Sequence, residues 1–115
     1  MASDKVYDLE KRTYLFAKNC RITIHALKRT ISNIEDGKQL IRSSGSIAAN
    51  YIEANEKLGP KDFVFRLKIA RKEAKESTLW LKLLKDLNSE NTKLENLLDE
   101  AEQLRKILSS IINKS

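Results

Sequence analysis

Cysteine and histidine each occur once in the 115 residues, proline once and glycine three times. Cys20 alone excludes an internal disulfide, and Cys20 with His25 is too small a set for a four-ligand zinc site within one chain. No cofactor and no metal are therefore expected. The apolar runs fall short of the roughly 18 residues a membrane span needs, and the opening MASDKVYDLE lacks the apolar stretch of a signal peptide. No membrane association is expected, and the expected location is cytoplasmic. There is no glycine-rich phosphate loop, no nucleophile motif and no Glu-x-x-His pair of the di-iron type, so no catalytic residue is assigned and the chain does not read as an enzyme.

What is present is amphipathic. With 41% hydrophobic residues and few helix breakers, one all-α domain spanning residues 1–115 is expected. Helical periodicity predicts four helices, at about 5–31, 38–57, 60–87 and 90–113. In the first, Val6, Leu9, Thr13, Phe16, Cys20, Ile24, Leu27 and Ile31 form the core stripe, and Cys20 reads as a small buried hydrophobe. A turn is expected at Asn33–Lys38, where Asn33, Asp36 and Gly37 gather. Gly59-Pro60 marks a sharp break, with proline suited to the first turn of the next helix. The last break falls at Asn88–Asn91, where Ser89 or Asn91 is able to cap the fourth helix. Four long segments with short connections give an up-down-up-down antiparallel four-helix bundle.

Two helices depart from simple amphipathicity. In the second, Ile41, Ala48 and Ile52 line one edge of the buried side and Leu40, Ile47, Tyr51 and Leu58 the neighbouring one, while Ser43, Ser46, Asn50 and Glu53 recur at heptad spacing with Gly45 and Ala49 alongside. That row is either a solvated face or a partly buried one, in which Asn50 and Glu53 would fix the register of packing. In the third, Phe63, Leu67, Ala70, Ala74, Ser77, Leu81 and Leu84 make one unbroken seam. A second row of Phe65, Ile69, Glu76, Trp80, Leu83 and Leu87 lies about a third of a turn away. A wide core would cover it, but Phe65, Trp80 and Leu83 also suit an apolar patch that self-association buries, and Leu15 and Ile22 on the first helix point the same way. Glu76 is a candidate polar partner for Asn50, Arg66 or another subunit.

The net charge of +6 is unevenly placed: residues 5–31 carry seven Lys/Arg against two acids, and residues 60–87 carry eight against four. Lys11, Lys18, Arg21, His25, Lys28 and Arg29 share a stripe about 100° wide in an ideal helix, with Tyr7 and Tyr14 inside it. Lys68, Arg71, Lys72 and Lys75 gather on one flank of the third helix. Cations interleaved with rings suit phosphates and bases, although a solvated helix face also collects Lys and Arg.

The run QLIRSSGSIAANYIEANEKLGPKDFVFRLKIARKEAKESTLWLKLL resembles the small bacterial proteins first noticed as reading frames within intervening sequences of large-subunit ribosomal RNA genes. The resemblance is densest from Leu40 to Leu84, at Arg42, Ser43, Ser46, Asn50, Glu53, Lys61, Asp62, Phe63, Ala70 and Glu76. Ala54-Asn55 follow Glu53 where the family commonly has a glycine. The resemblance implies a four-helix bundle that assembles into a homopentamer. It extends to the accessory variability determinants of diversity-generating retroelements, which bind nucleic acid and a reverse transcriptase. The expected function is a non-catalytic homo-oligomer that binds RNA or DNA through phosphate contacts from Lys11, Lys18, Arg21, Lys28, Arg29, Lys68, Arg71, Lys72 and Lys75. Asn50, Glu53, Phe65, Glu76, Trp80 and Leu83 would serve the oligomer or its polar network. The alternative is an oligomeric adaptor for a protein partner.

Overall fold

A computed structural model describes the backbone of residues 2–56 and 58–115, with side chains from residue 9 onward over the same spans. The order is α1 (Ala2–His25), α2 (Ile31–Ala54), α3 (Pro60–Leu87) and α4 (Lys93–Asn113). Each helix packs against its neighbours in the chain and α1 also meets α4, so the four enclose one antiparallel bundle of 44 × 25 × 19 Å. The α2–α3 contact is the most extensive and α1–α4 the slightest. A 28-residue helix spans about 42 Å, so α3 runs nearly the whole length of the bundle.

The first break lies elsewhere than the sequence predicts. α1 ends at His25, residues 26–30 form the connection, and α2 begins at Ile31. Thr30 sets the start: its backbone is extended and its hydroxyl accepts from the Asn33 N–H at 3.1 Å, satisfying one of the donors that a helix N-terminus leaves open. Ile31, expected in the core, is consequently exposed on the first turn of α2. Asn33, Asp36 and Gly37, expected as a turn, lie within α2. Gly37 is there for close packing, since a Cβ at that position would stand 3.0 Å from Ile24 Cγ2 of α1.

The second break follows the expected grammar. α2 closes at Ala54; the predicted end at Lys57 lies outside the described residues. Gly59 adopts φ 121°, a conformation that L side chains rarely take, and Pro60 opens α3. At the third break α4 starts at Lys93, three residues later than predicted. Asn91 Oδ1 accepts from the N–H groups of Lys93 (3.0 Å) and Leu94 (3.3 Å), as a cap should.

The core is built from Leu9, Phe16, Cys20, Leu40, Ile47, Tyr51, Leu67, Ala70, Ala74, Leu81, Leu84 and the Leu94–Leu108 stripe of α4. Val6 and Tyr7 lie outside the residues whose side chains are described. The α3 seam is buried from Leu67 to Leu84, with Phe63 half-buried at its start. Ile52 and Leu58, expected on the buried side of α2 and beyond it, are exposed. Burial pushes the Cys20 thiol up to about 12, against the hydrogen bond of Ser44 and the charge of Arg21, so the thiol stays protonated at neutral pH.

At the α2–α3 crossing Ser43 and Ser77, both fully buried, share a hydrogen bond of 2.8 Å. Small side chains let the two backbones approach, and the bond pairs both hydroxyls where bulk solvent does not reach. Ser43→Ala or Ser77→Ala alone should lower unfolding free energy by about 1 kcal/mol, because each leaves a buried hydroxyl without its partner. The double substitution removes both polar groups and should lie closer to wild type than the sum of the singles. Urea denaturation of the four proteins reads this, and additive losses would contradict a direct bond.

Candidate nucleic-acid interface

The cations of the two basic stripes divide into two kinds. Lys11, Lys18, Lys28, Arg29, Lys68, Lys72 and Lys75 are exposed, whereas Arg21 and Arg71 are half-buried. Arg21 lies across α2: its guanidinium donates to Ala17 O at 2.9 Å and to Ile41 O at 3.2 Å, with Ser44 Oγ at 3.5 Å. Gly45 makes room for it, since a Cβ there would stand 3.1 Å from Arg21 Nη2. Arg21 is thus a strut between α1 and α2, and Gly45, beside the polar row of α2, makes room for a guanidinium from another helix. Arg71 donates to Ser109 Oγ of α4 at 3.4 Å.

Helical arithmetic puts Lys28 and Arg29 on the α1 stripe, but the helix stops before them. The connection nevertheless brings them beside His25, around a cleft of about 430 Å³ between the end of α1 and the first half of α2. Lys38 joins its lining, a residue the sequence pattern does not single out because it lies on a different helix. A second depression, of about 320 Å³, holds Tyr14, Lys18 and His25 along α1.

Within the chain, the residues expected to share a polar network take separate partners. Asn50 is half-buried and donates to Ser46 O (2.9 Å) and Ser46 Oγ (3.1 Å) within its own helix; Glu53 is exposed. The residue that crosses helices from this row is Ser43. Glu76 pairs with Arg42 of α2, not with Asn50 or Arg66, and accepts from Trp80 Nε1 at 3.4 Å. Arg66 instead faces Asp62 at 3.8 Å. Arg42 also lies 3.4 Å from Glu73, a buried acid one heptad before Trp80 in the second α3 row, where its charge hides it from an apolar pattern. Of the second α3 row, Phe65 (57%), Leu83 (39%) and Leu87 (64%) are exposed, and Trp80 is half-buried. Ile22 and Leu15 on α1 are also exposed. On the far side of the bundle Arg12 forks onto Glu100, with bonds of 3.1 and 2.7 Å that tie α1 to α4.

Among the described residues there is no group of three His, Cys, Asp or Glu able to hold a metal ion, and no helix long and apolar enough to cross a membrane. These features define a small all-α bundle protein with basic and apolar residues mixed on its outer flanks. Residues 5–110 match the family described as 23S rRNA-intervening sequence protein, and the chain belongs to that family. A crystal structure from Bacteroides thetaiotaomicron, described as a protein of unknown function from the S23 ribosomal protein family, superposes with a TM-score of 0.82 at 29% identity. The alignment covers 95% of this chain and 98% of that one. Comparison with curated proteins gives no match.

Proposed function

We propose that the chain is a non-catalytic, cytoplasmic homo-oligomer, pentameric by family resemblance, that binds RNA or DNA through phosphate contacts from α1 and α3. The supporting observation is the exposure of seven of the nine cations of the two basic stripes, on a chain of net charge +6. Phosphate binding by such groups releases counterions and carries little base specificity. Each face is weakly charged on its own, and repetition around an oligomer raises avidity without new contacts. Phe65, Leu83 and Leu87 supply apolar surface on α3 for a second copy to cover.

Light scattering alone and with RNA, together with salt titration of binding, tests this reading. The expected results are a mass several times that of the 13.2 kDa chain and an affinity that falls steeply between about 50 and 200 mM salt. A monomer would overturn the assembly. Absence of a complex at low salt, or binding indifferent to salt, would overturn the nucleic-acid reading.

A further inference from the structure

The two depressions on α1 share a wall. His25 lines both the cleft between α1 and α2 and the shallower hollow that holds Tyr14 and Lys18. Together they form a track: Tyr14 and His25 are eleven residues apart on one helix, about 16 Å, and the cleft continues beyond His25 into the connection. The floor of the cleft is mainly apolar, made by the half-buried Ile24, Leu27, Ile34 and Ile41 and the buried Gly37, with the buried amide of Asn33 among them. Its rim is cationic, with Lys28, Arg29 and Lys38 exposed around it. Glu35 reaches Lys38 at 3.5 Å on the surface, so Lys28 and Arg29 carry most of the uncompensated charge. Tyr14 presents its ring to solvent at 61% exposure, beside the exposed Lys18.

We propose that this track is a site for single-stranded nucleic acid, in which Tyr14 stacks on a base, the apolar cleft takes the face of another, and Lys18, Lys28 and Arg29 hold phosphates. This rests on the nucleic-acid reading above and deepens it. An apolar floor beneath a cationic rim matches a nucleotide, whose base is flat and poorly solvated on its faces and whose phosphate is anionic. A duplex does not fit. Its base faces are stacked within the helix, out of reach of a ring or a narrow cleft, and only its phosphates remain for the rim. α3 also borders a depression of about 430 Å³, lined by Lys61, Val64, Phe65 and Lys68, but Phe65 belongs to the apolar surface assigned above to a second copy, so the lysines of α3 are left to add attraction that does not depend on strandedness.

Anisotropy titrations with labelled oligouridylate, oligothymidylate and an RNA duplex of equal length test the assignment. Three exposed-site variants accompany wild type, each checked for helicity and oligomeric mass: Tyr14→Ala, Lys28→Glu/Arg29→Glu, and Lys68→Glu/Lys72→Glu. Wild type should prefer the single strands to the duplex. Tyr14→Ala should weaken single-strand binding roughly tenfold, with little effect on the duplex, as removal of one stacking ring predicts. Lys28→Glu/Arg29→Glu should weaken it more and reduce the salt slope, by about 0.7 for each single-strand phosphate no longer neutralised. The α3 variant should lower both single-strand and duplex binding by a similar, smaller factor. A stronger effect on oligouridylate than on oligothymidylate would assign the track to RNA; equal effects would assign it to single strands of either sugar. If wild type binds but only the α3 variant loses affinity, the track is overturned while the nucleic-acid reading stands. If wild type binds neither strand form at low salt, both fall.

Discussion

Asn88→Ala is expected to lower the free energy of unfolding by about 3 kcal/mol, the sum of two buried polar groups left without partners at about 1–3 kcal/mol each. Asn88 and Asn33 are 4% and 5% exposed and face each other as reciprocal amides: Asn33 Nδ2 donates to Asn88 Oδ1 at 2.9 Å, and Asn88 Nδ2 to Asn33 Oδ1 at 2.8 Å. Each has a second task. Asn33 Nδ2 also donates to Lys28 O at 3.0 Å, fixing the α1–α2 connection, and Asn88 Nδ2 donates to Leu84 O at 2.7 Å. Leu84 O is among the carbonyls that the end of α3 leaves unpaired, because the Asn88 N–H turns to Lys85 O. Truncation at Asn88 therefore strands Asn33 Oδ1 and Leu84 O together. Urea denaturation should show a lower midpoint at unchanged slope. Asn33→Ala should cost a similar amount, and the double variant less than the sum, because the two share one pair of bonds. A loss below about 1 kcal/mol for Asn88→Ala would mean that water replaces the pair, and the buried geometry would be wrong.

Arg42→Ala should cost about 2 kcal/mol, and Glu73→Gln in the same chain should restore most of it. Arg42 stands between two acids of α3: Glu73, whose side chain is 11% exposed, and Glu76, at 29%. Glu73 Oε1 is buried and has no hydrogen bond, so the guanidinium 3.4 Å away is what compensates its charge. Removing one partner of a buried ion pair costs roughly 3–5 kcal/mol. The cost is lower here because the Arg42 side chain is 50% exposed and water already shares in its charge. Without Arg42, Glu73 and Glu76 repel across one turn of helix. Glu73→Gln removes the buried charge and the repulsion in one step. If Arg42→Ala/Glu73→Gln is as unstable as Arg42→Ala, the loss belongs to the packing of the arginine stem and not to its charge.

Much of this fold is legible in the sequence where a local rule suffices. The α3 seam from Leu67 to Leu84 follows from periodicity and the opening of α3 from Gly59-Pro60. For α4 the break at Asn88–Asn91 is legible, but Ser89 and Asn91 are equal candidates in sequence and only the structure selects Asn91 and a start at Lys93. The end of α1 is not legible. The apolar rhythm of Leu27 and Ile31 continues past it, and only Thr30 marks the break; a threonine before an isoleucine is a weak signal beside a turn-rich Asn33–Gly37. Gly37 has the composition of a turn and the position of a helix contact, which a one-dimensional pattern cannot separate.

The sequence by itself determined an all-α chain with four amphipathic helices in antiparallel order, one core, and basic residues concentrated in the first and third segments. Periodicity, breakers and charge act within a few residues of one another, so those features are written locally. Tertiary structure alone decided that Arg21 turns inward onto α2, that Arg42 compensates Glu73, that Asn33 meets Asn88, and that Lys28, Arg29 and Lys38 surround one cleft with His25. In each case the deciding atom comes from another helix or connection, and a side chain's partner is fixed by which backbones have already been brought within reach.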